Sequence, residues 1–166
     1  MNMCFEEGGF IFDFSNSLFA CQYYGGIHDL ADVDFVIDTT ENLLFIEVKN
    51  PLHEKSTSKR QADFAEKIDG DAFPYQMGNK FKDTLLRRWA CNESLEKPIV
   101  CIFILELPSL SKTEIGKMKN KIHNRIPFSL NKAQFLNRRL FDKFYIMTVD
   151  KFRNEFPQFT VTEVNS

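Results

Sequence analysis

Two short apolar segments, separated by a polar break, dominate the hydrophobic pattern of the first 50 residues. Residues 33–37 and 43–48 are rich in Val, Ile, Leu and Phe, and residues 38–42 between them read Asp-Thr-Thr-Glu-Asn. Segments of this length are too short for typical helices, and the polar residues between them favour a turn, so the pattern predicts a β-hairpin. Strands as apolar as these are normally buried on both faces.

Charged residues lie at the outer end of the predicted hairpin. If a four-residue connection follows Asp38, counting outward places Asp34 opposite Glu47 and Asp32 opposite Lys49. Directly opposed residues have Cβ atoms about 5 Å apart, and Lys49 shares a face with Glu47 because side chains alternate along a strand. Two carboxylates at that distance repel each other, which favours a divalent cation between them.

At these positions the chain resembles the PD-(D/E)XK nuclease superfamily, which has the restriction-endonuclease-like fold. The signature of that family is an acidic residue on one strand and Glu (or Asp)-x-Lys on the next. Asp34 matches the first element, and Glu47-Val48-Lys49 matches the second. The apolar strands before both acids are similar to those of many members.

The resemblance implies a function and a role for each matching residue. Asp34, Glu47 and the carbonyl of Val48 would bind Mg²⁺ (or Mn²⁺), and Lys49 would assist the water that attacks a phosphodiester, with DNA as the expected polymer. An ammonium group beside two carboxylates stays protonated, which favours an electrostatic role for the lysine over a role as general base. Members of the family often pair to cut two strands, so a homodimer is an option that the resemblance leaves open.

The family pattern includes one more acid, a Glu on an N-terminal helix that points into the site. The first helix predicted here covers residues 15–24, with Ser15 as its N-cap, and contains no Glu or Asp. Glu6, Glu7 and Asp13 all lie before it, and none is a secure match. The sequence therefore predicts a site with fewer acids than the fullest family pattern.

Two other interpretations of these residues stay open. Glu-x-Lys is a common tripeptide, and Lys49 would neutralise Asp32 and Asp34 in a structural ion-pair cluster. Alternatively, the chain is a catalytically inactive member of the same fold that binds nucleic acid or protein, which agrees with a net charge of only −2.

Charge is distributed unevenly along the chain. Residues 1–50 contain nine acids and one base, whereas residues 112–153 contain eleven bases and three acids. A basic surface of this kind favours contact with phosphates, although a solvated helix face is the alternative explanation. The candidate substrate-binding residues are Lys80, Lys117, Lys121 and Arg125.

The remaining pattern predicts an α/β (α+β) fold with a central mixed β-sheet flanked by helices on both faces, formed by residues 1–166 as a single domain. Ser111 and Glu114 have the spacing of a capping box. Helices are predicted over residues 75–89, 111–124, 130–140 and 150–156, strands over 8–14, 98–107, 144–149 and 159–164, and a loop or a loop with a short helix over 51–70.

Several features indicate a cytoplasmic protein with no membrane partner. No apolar run approaches the length of a membrane span, and no basic segment precedes an apolar one at the N-terminus. Four cysteines without metal-type spacing are predicted to be buried reduced thiols: Cys4, Cys21, Cys91 and Cys101.

Overall fold

The computed structural model describes residues 3–23, 30–51, 64, 67–68, 70–107, 110–128 and 140–164. These ranges contain the strands β1 (Cys4–Glu7), β2 (Phe10–Asp13), β3 (Phe19–Gln22), β4 (Phe35–Asp38), β5 (Leu43–Lys49), β6 (Ile99–Leu105), β7 (Lys143–Met147) and β8 (Thr160–Glu163). They also contain the helices α1 (Ala72–Ala90), α2 (Lys112–His123) and α3 (Val149–Glu155). The fold is mixed α/β, as predicted, and its strands form one five-stranded and one three-stranded sheet.

The five-stranded sheet has the strand order β3-β4-β5-β6-β7. The first three strands are antiparallel neighbours, whereas β5, β6 and β7 run parallel. The central strands β5 and β6 are buried along their whole length except at Lys49. Strands with such continuous apolar sequence are expected where a sheet is covered on both faces.

The β4–β5 hairpin has the register that the sequence predicted. Asp38 pairs with Leu43, and Phe35 pairs with Ile46. Thr39 closes the turn, because its backbone N–H and its hydroxyl both donate to the Asn42 carbonyl at 2.9 Å. A slip of one residue would send every side chain of one strand to the other face, so this register determines where the charged residues at the end of the hairpin point.

Helices α1 and α2 cover one face of the large sheet. Phe73, Met77 and Phe81 recur at intervals of four on α1 and are buried against this face. The rings of Phe73 and Phe103 have centroids 5.9 Å apart. Burying a large apolar side chain contributes about 1.5–3 kcal/mol, so this stripe holds α1 firmly on the sheet. The helix predicted over residues 75–89 is confirmed and extends to Ala72–Ala90.

The opposite face of the large sheet carries the three-stranded sheet, of order β1-β2-β8, together with α3. Phe12 packs against Phe35, and Phe14 against Phe159, in each case with ring centroids 5.1 Å apart. Helices therefore lie on both faces, as predicted, but a second sheet supplies most of the cover here. Its strands have only four residues each, too short a pattern to predict a separate sheet.

The prediction of a helix over residues 15–24 is wrong. Phe19–Gln22 forms β3, which pairs with β4, and residues 15–18 form a turn. Asp13 starts that turn by accepting a hydrogen bond from the Ser15 N–H at 2.9 Å. A helix of this length is marginal on its own, whereas the open edge of β4 offers a full set of backbone hydrogen bonds.

The other predicted elements within the described ranges are confirmed to within a few residues: β2, β6, α2, β7, α3 and β8. Ser111 caps α2 through the predicted capping box, in which its backbone N–H donates to the Glu114 carboxylate at 2.8 Å. The helix predicted over residues 130–140 and most of the loop predicted over 51–70 lie outside the described residues.

The four cysteines form no disulfide. Cys101 is buried in the core, as predicted, whereas Cys4 and Cys91 are exposed, so the prediction of buried thiols is wrong for those two.

Among the helices of the described ranges, none is both long enough and apolar enough to span a bilayer.

Candidate active site

The end of the β4–β5 hairpin brings together the three residues of the predicted motif. Asp34 immediately precedes β4, and its carboxylate accepts a hydrogen bond from the Val48 N–H at 2.7 Å. Glu47 has no exposed side-chain surface, and one of its oxygens lies 2.5 Å from Lys49 Nζ. Both carboxylates therefore face the same lysine, as the hairpin register predicted.

Lys49 contacts or approaches each oxygen that, by the family resemblance, is a candidate metal ligand. Its Nζ lies 2.5 Å from Glu47 Oε1, donates to the Val48 carbonyl at 3.1 Å and lies 4.0 Å from Asp34 Oδ2. Three oxygens thus surround one cationic group at the surface end of a buried strand. The arrangement attracts positive charge whether that charge is an ammonium group or a metal ion.

Helix α1 adds a second lysine to the site. Lys80 Nζ lies 2.9 Å from Glu47 Oε1 and donates to Glu47 Oε2 at 3.0 Å. The buried hydroxyl of Thr84, one turn later, accepts from the Val33 N–H at 3.0 Å and donates to the Lys80 carbonyl at 2.8 Å. This bridge ties α1 to the chain just before Asp34, so the helix and the hairpin hold a fixed relative position.

Glu7 is a third acid near the site, and the sequence did not assign it there. Gly8 and Gly9 turn the chain after β1 with positive φ angles, and Asn50 donates to the Gly8 carbonyl at 2.8 Å. A Cβ atom on Gly8 would lie 3.2 Å from Val48 Cγ1, so the turn packs closely on the end of β5. The Gly-Gly pair was the one sequence signal of this turn, but Asn50, which binds the turn, lies 42 residues further along the chain.

The electrostatic environment of Glu7 shows that it belongs to the same cluster. Burial raises the pKa of the Glu7 carboxyl, and the charge of Asp34 raises it further, whereas the charges of Lys49 and Lys80 lower it. Gln22 donates a hydrogen bond to Glu7 at 3.2 Å. This acid lies on β1.

Burial and charge shift the ionisation of the central pair in different ways. Burial raises the pKa of the Glu47 carboxyl above its usual range, even though Lys49 and Lys80 act to lower it. Burial acts to lower the pKa of Lys49, but the charges of Glu47 and Asp34 outweigh that effect and raise it. Perturbed carboxylates beside charged partners are concentrated at functional sites, although structural ion-pair networks also contain them.

Asp32 does not pair with Lys49. Its side chain is almost fully buried and forms an ion pair with Arg87 of α1. The Arg87 guanidinium in turn lies 4.3 Å from the centroid of the Tyr23 ring. The structural ion-pair interpretation is therefore wrong for Asp32, whereas Lys49 does lie near Asp34.

A cleft of about 630 Å³ opens beside the two lysines of the site. Its polar lining residues include Lys49, Lys67, Gln76, Lys80 and Asp83. The apolar lining includes Phe73 and Met77 of α1, which also belong to the core. A phosphate-bearing substrate in this cleft would meet positive charge next to Glu47.

The other predicted substrate-binding residues lie along α2 and just beyond it. Lys117 is exposed, Lys121 forms an ion pair of 3.2 Å with Asp71, and the Arg125 guanidinium lies 5.6 Å from the centroid of the Tyr75 ring. The structure thus brings Lys80 to the acidic cluster and places Lys121 and Arg125 beside the start of α1.

The donor atoms of the site suit a hard divalent cation. Across the part of the chain that the structure describes, no three or more His, Cys, Asp or Glu side chains are grouped as a metal site. The candidate ligands are instead two carboxylates and one backbone carbonyl, those of Asp34, Glu47 and Val48. Oxygen ligands of these kinds are what Mg²⁺ uses in proteins, usually together with several waters.

Compared with family models, curated proteins and solved structures, the chain matches none of them.

Proposed function

We propose that the protein is a metal-dependent nuclease of the PD-(D/E)XK type, which hydrolyses phosphodiester bonds, with DNA as the expected polymer. The observation that carries the proposal is the convergence of Asp34, Glu47 and the Val48 carbonyl on one cationic group beside a cleft. A restriction-endonuclease-like fold is part of the proposal. It is supported by the apolar strands that precede both acids and by the packing of α1 on the sheet after the Glu-x-Lys strand.

The acids of the site would hold the ion, and the lysines would act through their charge. A divalent ion bound by Asp34, Glu47 and the Val48 carbonyl would supply a Lewis acid and lower the pKa of a bound water. In the metal-free site, the charges of Glu47 and Asp34 raise the pKa of Lys49 and keep its ammonium group protonated. Its ammonium group, released from Glu47, would orient the attacking water or stabilise negative charge that develops on the phosphate.

Lys80 would contribute a second positive charge from α1. Its ammonium group lines the cleft and contacts both oxygens of Glu47. A phosphate that enters the cleft offers oxygens that compete with that carboxylate for the ammonium group. We therefore assign Lys80 to the binding of the scissile phosphate, with Lys49 next to the reacting atoms.

An inactive binding module is the second candidate, and one observation favours it. Glu47 already has two ammonium partners, so its charge is compensated without any metal ion. A protein of this kind would bind nucleic acid or protein without dependence on divalent ions. Metal-dependent cleavage separates the two candidates.

The decisive variant is Glu47→Gln, which keeps the shape of the side chain and removes its charge. Glu41→Gln is the matched control, because Glu41 is an exposed carboxylate in the turn of the same hairpin. Each protein is incubated with supercoiled, linear and single-stranded DNA and with RNA, in the presence of Mg²⁺, Mn²⁺ or a chelator.

We expect the wild type and Glu41→Gln to cleave only with a divalent ion, and Glu47→Gln to lose roughly 100-fold or more in rate. Cleavage that persists unchanged in Glu47→Gln would refute the assignment. Binding without cleavage, equal with metal and with chelator, would favour the inactive module.

A further inference from the structure

An exposed tyrosine with two cations over its ring lies near the start of α1. Tyr75 is 51% exposed, on a helix whose Phe73, Met77 and Phe81 are buried against the sheet. Lys82 Nζ lies 6.0 Å from the centroid of its ring, and the Arg125 guanidinium carbon lies 5.6 Å from it. An aromatic ring beside cations is a surface that binds bases and phosphates together.

The close packing of α1 and α2 holds this arrangement in place. A Cβ atom built on Gly78 would lie only 2.4 Å from Arg125 Cβ, so only glycine permits this approach without a shift of the neighbouring chain. Lys121 adds an ion pair of 3.2 Å to Asp71, at the start of α1. The backbone therefore places Arg125 next to the turn of α1 that carries Tyr75.

The surroundings of Tyr75 are positively charged. Lys82 and Arg125 lie at the ring, Lys121 pairs with Asp71, and Lys117 and Lys119 are exposed on the same helix as Lys121. A surface with this charge complements a polyanion. Because Tyr75 is 51% exposed, a flat base has access to its ring, and the phosphates of the strand that carries the base would meet the two cations.

We propose that Tyr75, Lys82 and Arg125 form a stacking site for an unpaired nucleotide of a nucleic-acid strand. The inference rests on the proposed function. It adds that the substrate of the nuclease contains a single-stranded segment. In a duplex the faces of the bases are covered by their neighbours, so an exposed aromatic ring gains little from paired DNA. An unpaired base stacks on such a ring in a way that tolerates any sequence.

The stacking site and the candidate active site share one helix. Tyr75 precedes Lys80 by five residues, which is about 7.5 Å along the axis of α1. The two side chains lie on different sides of the helix, since Lys80 faces the cleft and Tyr75 faces solvent beside α2. A strand a few nucleotides long would connect them by passing around the start of α1.

Fluorescence anisotropy tests the proposal, with a labelled single-stranded oligothymidylate and a blunt-ended duplex of equal length, both in chelator so that no cleavage occurs. The variants are Tyr75→Ala and Tyr75→Phe. Tyr145→Ala serves as the control, because Tyr145 is a partly exposed tyrosine on β7. Circular dichroism checks that each variant is folded.

We expect Tyr75→Ala to bind the single strand about 10-fold more weakly, in line with about 1–3 kcal/mol per stacked base. Duplex binding should change less than about 2-fold, and Tyr75→Phe and Tyr145→Ala should bind as the wild type does. Equal single-strand affinity of Tyr75→Ala and wild type would overturn the proposal, as would equal losses for both DNAs. Tighter binding of wild type to anionic lipid vesicles than to the single strand would also overturn it.

The result is independent of the cleavage assay. Weakened single-strand binding by Tyr75→Ala in a protein that cleaves nothing would refute the nuclease and leave the stacking site standing. Metal-dependent cleavage together with unchanged binding by Tyr75→Ala would support the nuclease and overturn the stacking site.

Discussion

At the scale of single residues, Glu47 carries a charge into the interior of the fold. Its side chain has no exposed surface, and its oxygens contact two ammonium groups, one from β5 and one from α1. Burial nevertheless raises its pKa, so the two lysines do not fully offset the loss of solvent. A buried carboxylate whose loss of solvation is not fully offset is expected where function requires its charge.

This cost leads to a prediction about stability. Because the pKa of Glu47 is raised in the folded state, ionisation destabilises the fold as the pH rises from the ordinary range of glutamate through the raised pKa. We expect the free energy of unfolding of Glu47→Gln at pH 7 to equal that of the wild type or to exceed it by about 1 kcal/mol, so that the variant is at least as stable. The difference should vanish at acidic pH, where both side chains are neutral.

Urea denaturation at the two pH values measures the difference. A loss of about 3 kcal/mol in Glu47→Gln at pH 7 would instead indicate a structural ion-pair cluster.

In the proposed metal site, Lys49 would compete with the ion for the oxygen ligands. Its ammonium group contacts Glu47 and the Val48 carbonyl and approaches Asp34, which are the candidate ligands. We expect Lys49→Met, which keeps most of the side-chain stem, to bind Mn²⁺ about 10-fold more tightly, or about 1.4 kcal/mol, and to lose cleavage activity.

Isothermal titration calorimetry measures that affinity. Lys97→Met is the matched control, since Lys97 pairs with Asp38 at 2.5 Å at the opposite end of β4. Weaker or unchanged Mn²⁺ binding in Lys49→Met would show that the Lys49 ammonium group does not compete with the ion for these oxygens.

At the scale of elements, α1 depends on a glycine in its interior. Gly78 costs the helix up to about 1 kcal/mol in propensity relative to alanine. The structure explains why it is there, because an added Cβ atom would lie 2.4 Å from Arg125 Cβ and 3.4 Å from the Arg125 carbonyl carbon.

We therefore expect Gly78→Ala to destabilise the protein by about 1–2 kcal/mol, since overpacking costs about 1–3 kcal/mol and exceeds the gain in propensity. Thermal unfolding measures the effect, with Gly116→Ala as the control, because a Cβ atom at Gly116 of α2 meets open space. A rise in melting temperature for Gly78→Ala would contradict the close packing of the two helices.

Elements defined by local pattern were predictable, and those defined by distant partners were not. The β4–β5 register follows from two apolar runs and a short polar connection, and the Ser111 capping box marks the start of α2. Residues 15–22 have no pattern that excludes a helix, and only the edge of β4 makes β3 a strand. Asp34, Glu47 and Lys49 were found because one hairpin aligns them.

At the scale of the whole molecule, the candidate site lies where the layers of the fold meet. Glu7 comes from the small sheet, Glu47 from the large sheet, Asp34 from the position before β4, and Lys80 from the helical layer. The contribution of Glu7 could not be predicted, because it depends on how the small sheet packs on the end of β5. Helix α1 contacts both charged regions, because Lys80 pairs with Glu47 and Tyr75 lies beside Arg125, which follows α2.

The central claim is that two facing carboxylates share a divalent ion, and a Mn²⁺ titration tests it most directly. Asp34→Asn keeps an oxygen that can accept the hydrogen bond from the Val48 N–H, and Asp38→Asn at the far end of β4 is the matched control. The account predicts Mn²⁺ binding in the millimolar range or tighter for wild type and Asp38→Asn, and a loss of that binding in Asp34→Asn. Equal Mn²⁺ affinity in all three proteins, or no binding by the wild type, would contradict it.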